Sequence, residues 1–87
     1  MNKEQITITL VQMNVSLGSP EKNLARVERL LDPVSKSSDI ILLPELWSSG
    51  YDYEHFTQLA ATTPAMLGHM AKIAEARDSY VGGSLVE

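Results

Sequence analysis

From Ile6 to Met13 the chain alternates, with Ile6, Ile8 and Leu10 on one parity and Thr7 and Thr9 on the other, in a run rich in β-branched residues. Successive side chains of a strand point to opposite faces, so this period of two predicts a first strand over 6–13. Gly18-Ser19-Pro20-Glu21 follows with a turn glycine, an N-cap candidate, a proline at the first helical position and an acid in the first turn. Those are the start signals of a helix. Leu24, Val27, Leu30, Leu31 and Val34 recur at spacings of three and four, while Lys22, Arg26, Glu28 and Arg29 lie off that stripe. One face of the helix is therefore apolar and the other wet. Pro33 has no amide donor and clashes with the preceding turn. It predicts a kink or a short turn capped by Asp32, with the helical region ending near Ser37.

Asp39-Ile40-Ile41-Leu42-Leu43-Pro44 carries a continuous aliphatic run. Such a run is the mark of a parallel strand covered on both faces, and predicts strand two. Between Glu45 and Phe56 the chain holds Trp47, Gly50, Tyr51, Tyr53 and Phe56 with Ser48 and Ser49 among them. It is too aromatic for a plain solvated loop and too irregular for one long element. Thr63 then caps and Pro64 opens a second helix whose stripe is Met66, Leu67, Met70, Ile73 and Ala74, running to about Arg77. Tyr80 to Val86 reads as strand three. The order β-α-β-α-β, with helices as crossovers, makes an α/β sandwich of layers around a parallel sheet. Three strands leave an edge and a face open. The unit reads as unfinished at Glu87.

Composition narrows the class. Over 87 residues, 44% hydrophobic and 21% charged with five Gly and four Pro is the profile of a globular domain. Seven Lys+Arg against eleven Asp+Glu give a formal charge of −4. The basic residues are scattered, which argues against nucleic acid or an anionic membrane as partner. With no cysteine there is no disulfide, thiolate metal site or cysteine nucleophile within these residues. The N-terminus lacks the pattern of a signal peptide, and no apolar run approaches the ~18 residues of a membrane span. A cytoplasmic protein is the expectation.

Ligand sites of open α/β sheets lie beyond the carboxyl ends of the strands. Glu45 is placed there, directly after strand two, beside Trp47 and Tyr51 as candidate walls of a substrate pocket. A partly desolvated carboxylate in such a position suits general-base chemistry. By position alone a surface glutamate or a turn cap is the better reading. His55 and His69 are too far apart, without acidic partners at ligand spacing, to suggest a metal. Met66 and Met70 read as core filler. Gly82-Gly83 reads as a close backbone approach and not as a phosphate loop. Ser48 and Ser49 read as turn residues.

The stretches Ile8 to Gln12 (ITLVQ), Leu17 to Asn23 (LGSPEKN), Asp39 to Tyr51 (DIILLPELWSSGY) and Val81 to Glu87 (VGGSLVE) resemble, in order and spacing, the opening of the carbon–nitrogen hydrolase or nitrilase family. The resemblance implies the N-terminal portion of a nitrilase-type α-β-β-α sandwich, with 1–87 one part of a single truncated domain. It implies a Glu-Lys-Cys triad in which Glu45 is the general base and the lysine and cysteine lie beyond Glu87. Leu-Pro-Glu-Leu-Trp, Gly-Tyr-Asp and Gly-Gly-Ser are most similar to the ω-amidase branch, which acts on ω-amides such as 2-oxoglutaramate. A small amide substrate, no cofactor, no metal and a homo-oligomeric full-length protein are further implications. Pro33 departs from the family's usual helix. Two alternatives stand beside the enzyme: a non-catalytic α/β interaction module, such as a receiver-like domain, and a degenerate paralogue. A receiver wants acids after strand one, where Met13, Asn14 and Val15 stand.

Overall fold

The computed structural model describes residues 5–34 and 38–87. In chain order these form β1 (Ile8–Leu10), α1 (Pro20–Leu31), β2 (Ile40–Leu42), a 3-10 turn (Tyr53–His55) running into α2 (Phe56–Ala60), α3 (Thr63–Arg77) and β3 (Tyr80–Gly82). The strands lie parallel in the order β1-β2-β3. Ile8, Ile40 and Tyr80 are in register across the sheet, as are Thr9, Ile41 and Val81, and Leu10, Leu42 and Gly82.

Parallel strands taken in sequence require crossovers of one hand, and such crossovers deliver their helices to one face. The core follows from that. Val27 and Leu31 of α1, Met66 and Met70 of α3, and Ile41, Val11, Leu43 and Trp47 form one buried cluster. The opposite face is bare: Ile8 is 53% exposed, Leu10 64%, Leu42 41% and Tyr80 81%. Strand two is thus covered on one side here and not on both, because α1 and α3 lie on the same side. The result is an α-β half of the expected α-β-β-α sandwich.

Element ends depart from the sequence reading where hydrogen bonds outrank pattern. α1 closes at Leu31, with Asp32 donating to the Glu28 carbonyl at 3.1 Å and Pro33 blocking continuation. The predicted stretch from Ser35 to Ser37 lies outside the described residues. Arg77 donates to the carbonyls of Leu31 and Val34, so α3 caps the end of α1. Ser19 stands at the N-cap, but it accepts the Asn23 N–H through its backbone carbonyl at 3.0 Å, without a side-chain cap. α3 is capped at Thr62 and so starts one residue earlier than predicted; the hydroxyl of its first residue, Thr63, donates to the Val86 carbonyl, and the helix stops at Asp78 with φ of +49°. The strands are shorter than predicted. The aromatic stretch before α3 contains the 3-10 turn and α2, which its irregular pattern did not disclose.

Candidate active site

The sheet's carboxyl end extends past β2 through Leu43, whose N–H donates to the Gly82 carbonyl at 2.8 Å. Pro44 then ends pairing, and the chain folds at Glu45 into a tight turn. The Leu46 carbonyl accepts the N–H groups of Ser49 at 3.3 Å and Gly50 at 2.8 Å. Leu46 adopts φ of +46°, a left-handed conformation that costs a residue with a Cβ about 1–2 kcal/mol. Its N–H donates to Ser84 Oγ at 2.8 Å, across to the chain leaving β3. Gly50, at φ of +65°, completes the reversal.

Asn23 locks this turn to the loop after β1. It is fully buried; its Oδ1 accepts the Ser16 N–H at 2.7 Å, and its Nδ2 donates to the carbonyls of Ser16 and Ser48, each at 2.8 Å. The Gly18 N–H adds a bond to the Ser49 carbonyl at 2.7 Å. Beneath the turn, Trp47 is fully buried. A Cβ on Gly83 would come within 2.9 Å of the indole Cδ1 and 3.1 Å of Leu43 Cβ, so glycine there makes room for the ring.

Glu45 itself is exposed. Tyr51 stands beside it, and its phenol pKa is raised, first by the hydrogen bond to Glu45, then by desolvation, the Glu45 charge and Tyr53. A phenol donating to a carboxylate resists giving up that proton. The Tyr51 and Tyr53 rings lie 6.1 Å apart and those of Tyr53 and Phe56 5.1 Å, a row of aromatics running away from the carboxylate. His55 Nδ1 lies 2.9 Å from both Asp52 carboxylate oxygens, and its pKa is raised, by that hydrogen bond and then by the Asp52 charge.

Of the residues singled out in sequence, the fold brings Glu45 and Tyr51 together. Trp47 belongs to the core under the turn and does not face outward with them. The left-handed Leu46 between them breaks the alternation of the strand, so Glu45 is exposed while Trp47, two residues on, is buried. Ser48 and Ser49 are buried turn residues, the latter donating to the Gly50 carbonyl at 2.9 Å. Asn23 and Ser84 were not singled out. Asn23 had a signal, because it stands four residues before Val27 and eight before Leu31, on the buried edge of α1. A hollow of about 440 Å³ bordered by Ile6, Asp39 and Tyr80 lies at the amino ends of the strands, away from Glu45. Among the described residues no cluster of metal-ligating side chains occurs, and no helix is long and apolar enough to cross a membrane.

The sequence profile of carbon-nitrogen hydrolases matches residues 7–87, nearly the whole chain. The chain belongs to the carbon-nitrogen hydrolase family. It is 39% identical over 54 residues to a 2-oxoglutaramate amidase of Bacillus subtilis, an alignment covering 62% of this chain and 21% of that protein. It is 36% identical over 50 residues to a nitrilase of Pyrococcus abyssi, covering 56% and 19%. A glutamine-dependent NAD(+) synthetase of Aquifex aeolicus is 39% identical over 49 residues, covering 56% and 9%. The carbon-nitrogen hydrolase chain therefore spans about a fifth or less of the length of these relatives. No solved structure gives a significant match.

Proposed function

We propose that residues 1–87 form the N-terminal part of one carbon-nitrogen hydrolase domain, and that the whole domain hydrolyses a small carboxamide of the ω-amide class. Glu45 is its general base. The observation that carries this reading is the placement of Glu45 at the carboxyl end of the central strand, on a turn pinned from three sides. Similarity to a 2-oxoglutaramate amidase supports the ω-amide class.

In the proposed cycle, Glu45 takes the proton of a cysteine thiol as sulfur attacks the amide carbonyl carbon. A lysine stabilises the oxyanion of the tetrahedral intermediate. Glu45 passes its proton to the leaving nitrogen, the carbon–nitrogen bond breaks, and ammonia departs from a thioester. Water then gives a proton to Glu45 and attacks the thioester, releasing the acid and restoring the thiol. Tyr51 borders the carboxylate on the substrate side, and Trp47 supports the turn from below. No cofactor enters this cycle, and the enzyme is proposed to be a cytoplasmic homo-oligomer.

Residues 1–87 contain no cysteine. The chain by itself is therefore inactive on amides, and turnover by it above a Glu45→Ala control would overturn the assignment of roles. In a full-length protein carrying this segment, Glu45→Gln keeps the shape and removes the proton acceptor. The expected loss in kcat is on the order of 10²- to 10⁴-fold with an unchanged fold. Near-normal rates in that variant would make Glu45 an ordinary strand-end glutamate.

A further inference from the structure

We propose that Ser84 is a positioning residue for Glu45, its hydroxyl holding the Glu45 turn by accepting the Leu46 N–H. This rests on the reading of Glu45 as general base. The bond, at 2.8 Å, joins residues 38 apart in sequence, and it reaches the turn after β2 from the segment that leaves the neighbouring β3. The Leu46 N–H belongs to the same peptide plane as the Glu45 carbonyl. Fixing that plane fixes ψ of Glu45, and with it the direction in which the turn carries the carboxylate.

Leu46 sits at φ of +46°, where a residue with a Cβ does not rest unless its surroundings hold it. The other fastenings of the turn act further along. Asn23 holds the Ser48 carbonyl, Gly18 holds the Ser49 carbonyl, and Trp47 is seated in the core. The Ser84 bond is the one adjoining Glu45. Its reach depends on Gly83, where a side chain would meet Trp47 and Leu43 and force the two segments apart. Ser84 is itself exposed, so its hydroxyl fills no core space. Its loss acts on direction more than on stability.

The test uses a full-length carbon-nitrogen hydrolase carrying this segment, with S84A, S84T and E45Q compared for kcat and KM on 2-oxoglutaramate, for melting temperature, and for titration of Tyr51. S84A is expected to lower kcat by roughly 10- to 100-fold, the scale of a misplacement near 1 Å, with KM and melting temperature nearly unchanged. S84T keeps the acceptor and restores most of the rate. In S84A the Tyr51 phenol titrates closer to its ordinary value, because the Glu45 carboxylate has moved from it. A Tyr51 titration unchanged by S84A overturns the positioning role whatever the rate does. So does normal kcat in S84A with E45Q inactive, or a loss that follows the melting temperature and is not restored by S84T. Normal activity in E45Q is a different failure: it removes the general-base reading, and the positioning role with it.

Discussion

Two faces of one short sheet have opposite fates. Ile41 is fully buried under α1 and α3, while Leu42, the next residue, is 41% exposed on the other side. Both are large aliphatics in the same strand. Across the sheet the contrast runs against polarity: Thr9 faces the helices, where its hydroxyl meets Ser38 Oγ at 2.6 Å, and Ile8 and Leu10 face outward. A period of two identifies two faces of a strand, but it does not say which one a helix will cover. The hand of the crossovers says that. The bare side is the kind of contiguous apolar patch that another layer of protein covers.

The strongest way to break this contrast is to shorten one side chain on each face. Ile41→Ala empties a filled site and is expected to cost about 2–5 kcal/mol. Leu10→Ala should stay within about 0.5 kcal/mol, as for an exposed position. Equal losses in urea unfolding would show that the two faces are buried alike in solution. Next in size is Asn23→Ala, which strands the Ser16 N–H and leaves the Ser16 and Ser48 carbonyls without their donor. A cost of about 1–3 kcal/mol is expected, together with faster hydrogen exchange at the Ser16 amide. Unchanged exchange there would mean that the buried amide does not join the two loops.

A smaller effect on folding, with a larger one on association, belongs to the bare face. The chain should associate in a concentration-dependent way, since burying each further Leu or Ile is worth about 1.5–3 kcal/mol. Ile8→Lys with Leu42→Lys should weaken that association in sedimentation. A compact wild-type monomer with a cooperative, concentration-independent transition would show that the residues close their own core. The smallest effect is electrostatic. Asp52 raises the His55 pKa, so the pair's stabilisation is fully present below the unfolded histidine value near 6.5 and fades as pH rises through the raised folded value. Asp52→Asn should flatten that part of the pH profile of stability, and a profile indifferent to the substitution would remove His55 from it.

Legibility differed from element to element. α3 was readable to within a residue because Pro64 and Arg77 lie at its ends, although the cap is Thr62 and not Thr63. The strands were overextended in prediction, since apolar alternation continues beyond the residues that find ladder partners. α2 was missed because a single turn-and-a-half of helix carries too few positions for a period. Glu45 was legible as a strand-end acid, and Tyr51 as an aromatic near it. Their pairing was not, because five residues of turn and loop intervene and their path depends on Leu46 being left-handed. Trp47 showed as an aromatic of the site, and the same local conformation turned it into the core.

By itself the sequence determined the three strands and the two long helices between them, the start of α1, the acid at the end of the central strand and the family to which the chain belongs. These are local or linear properties: period, caps, prolines and blocks in register. Tertiary structure alone decided which side of the sheet is buried, how Asn23 ties two loops, and how Ser84 and Gly83 reach the Glu45 turn from the segment that leaves the neighbouring β3. The deciding contacts join residues 25 and 38 apart, Asn23 to Ser48 and Leu46 to Ser84. Such contacts exist only after parallel strands have been brought side by side, and no pattern along one segment encodes its neighbour's register.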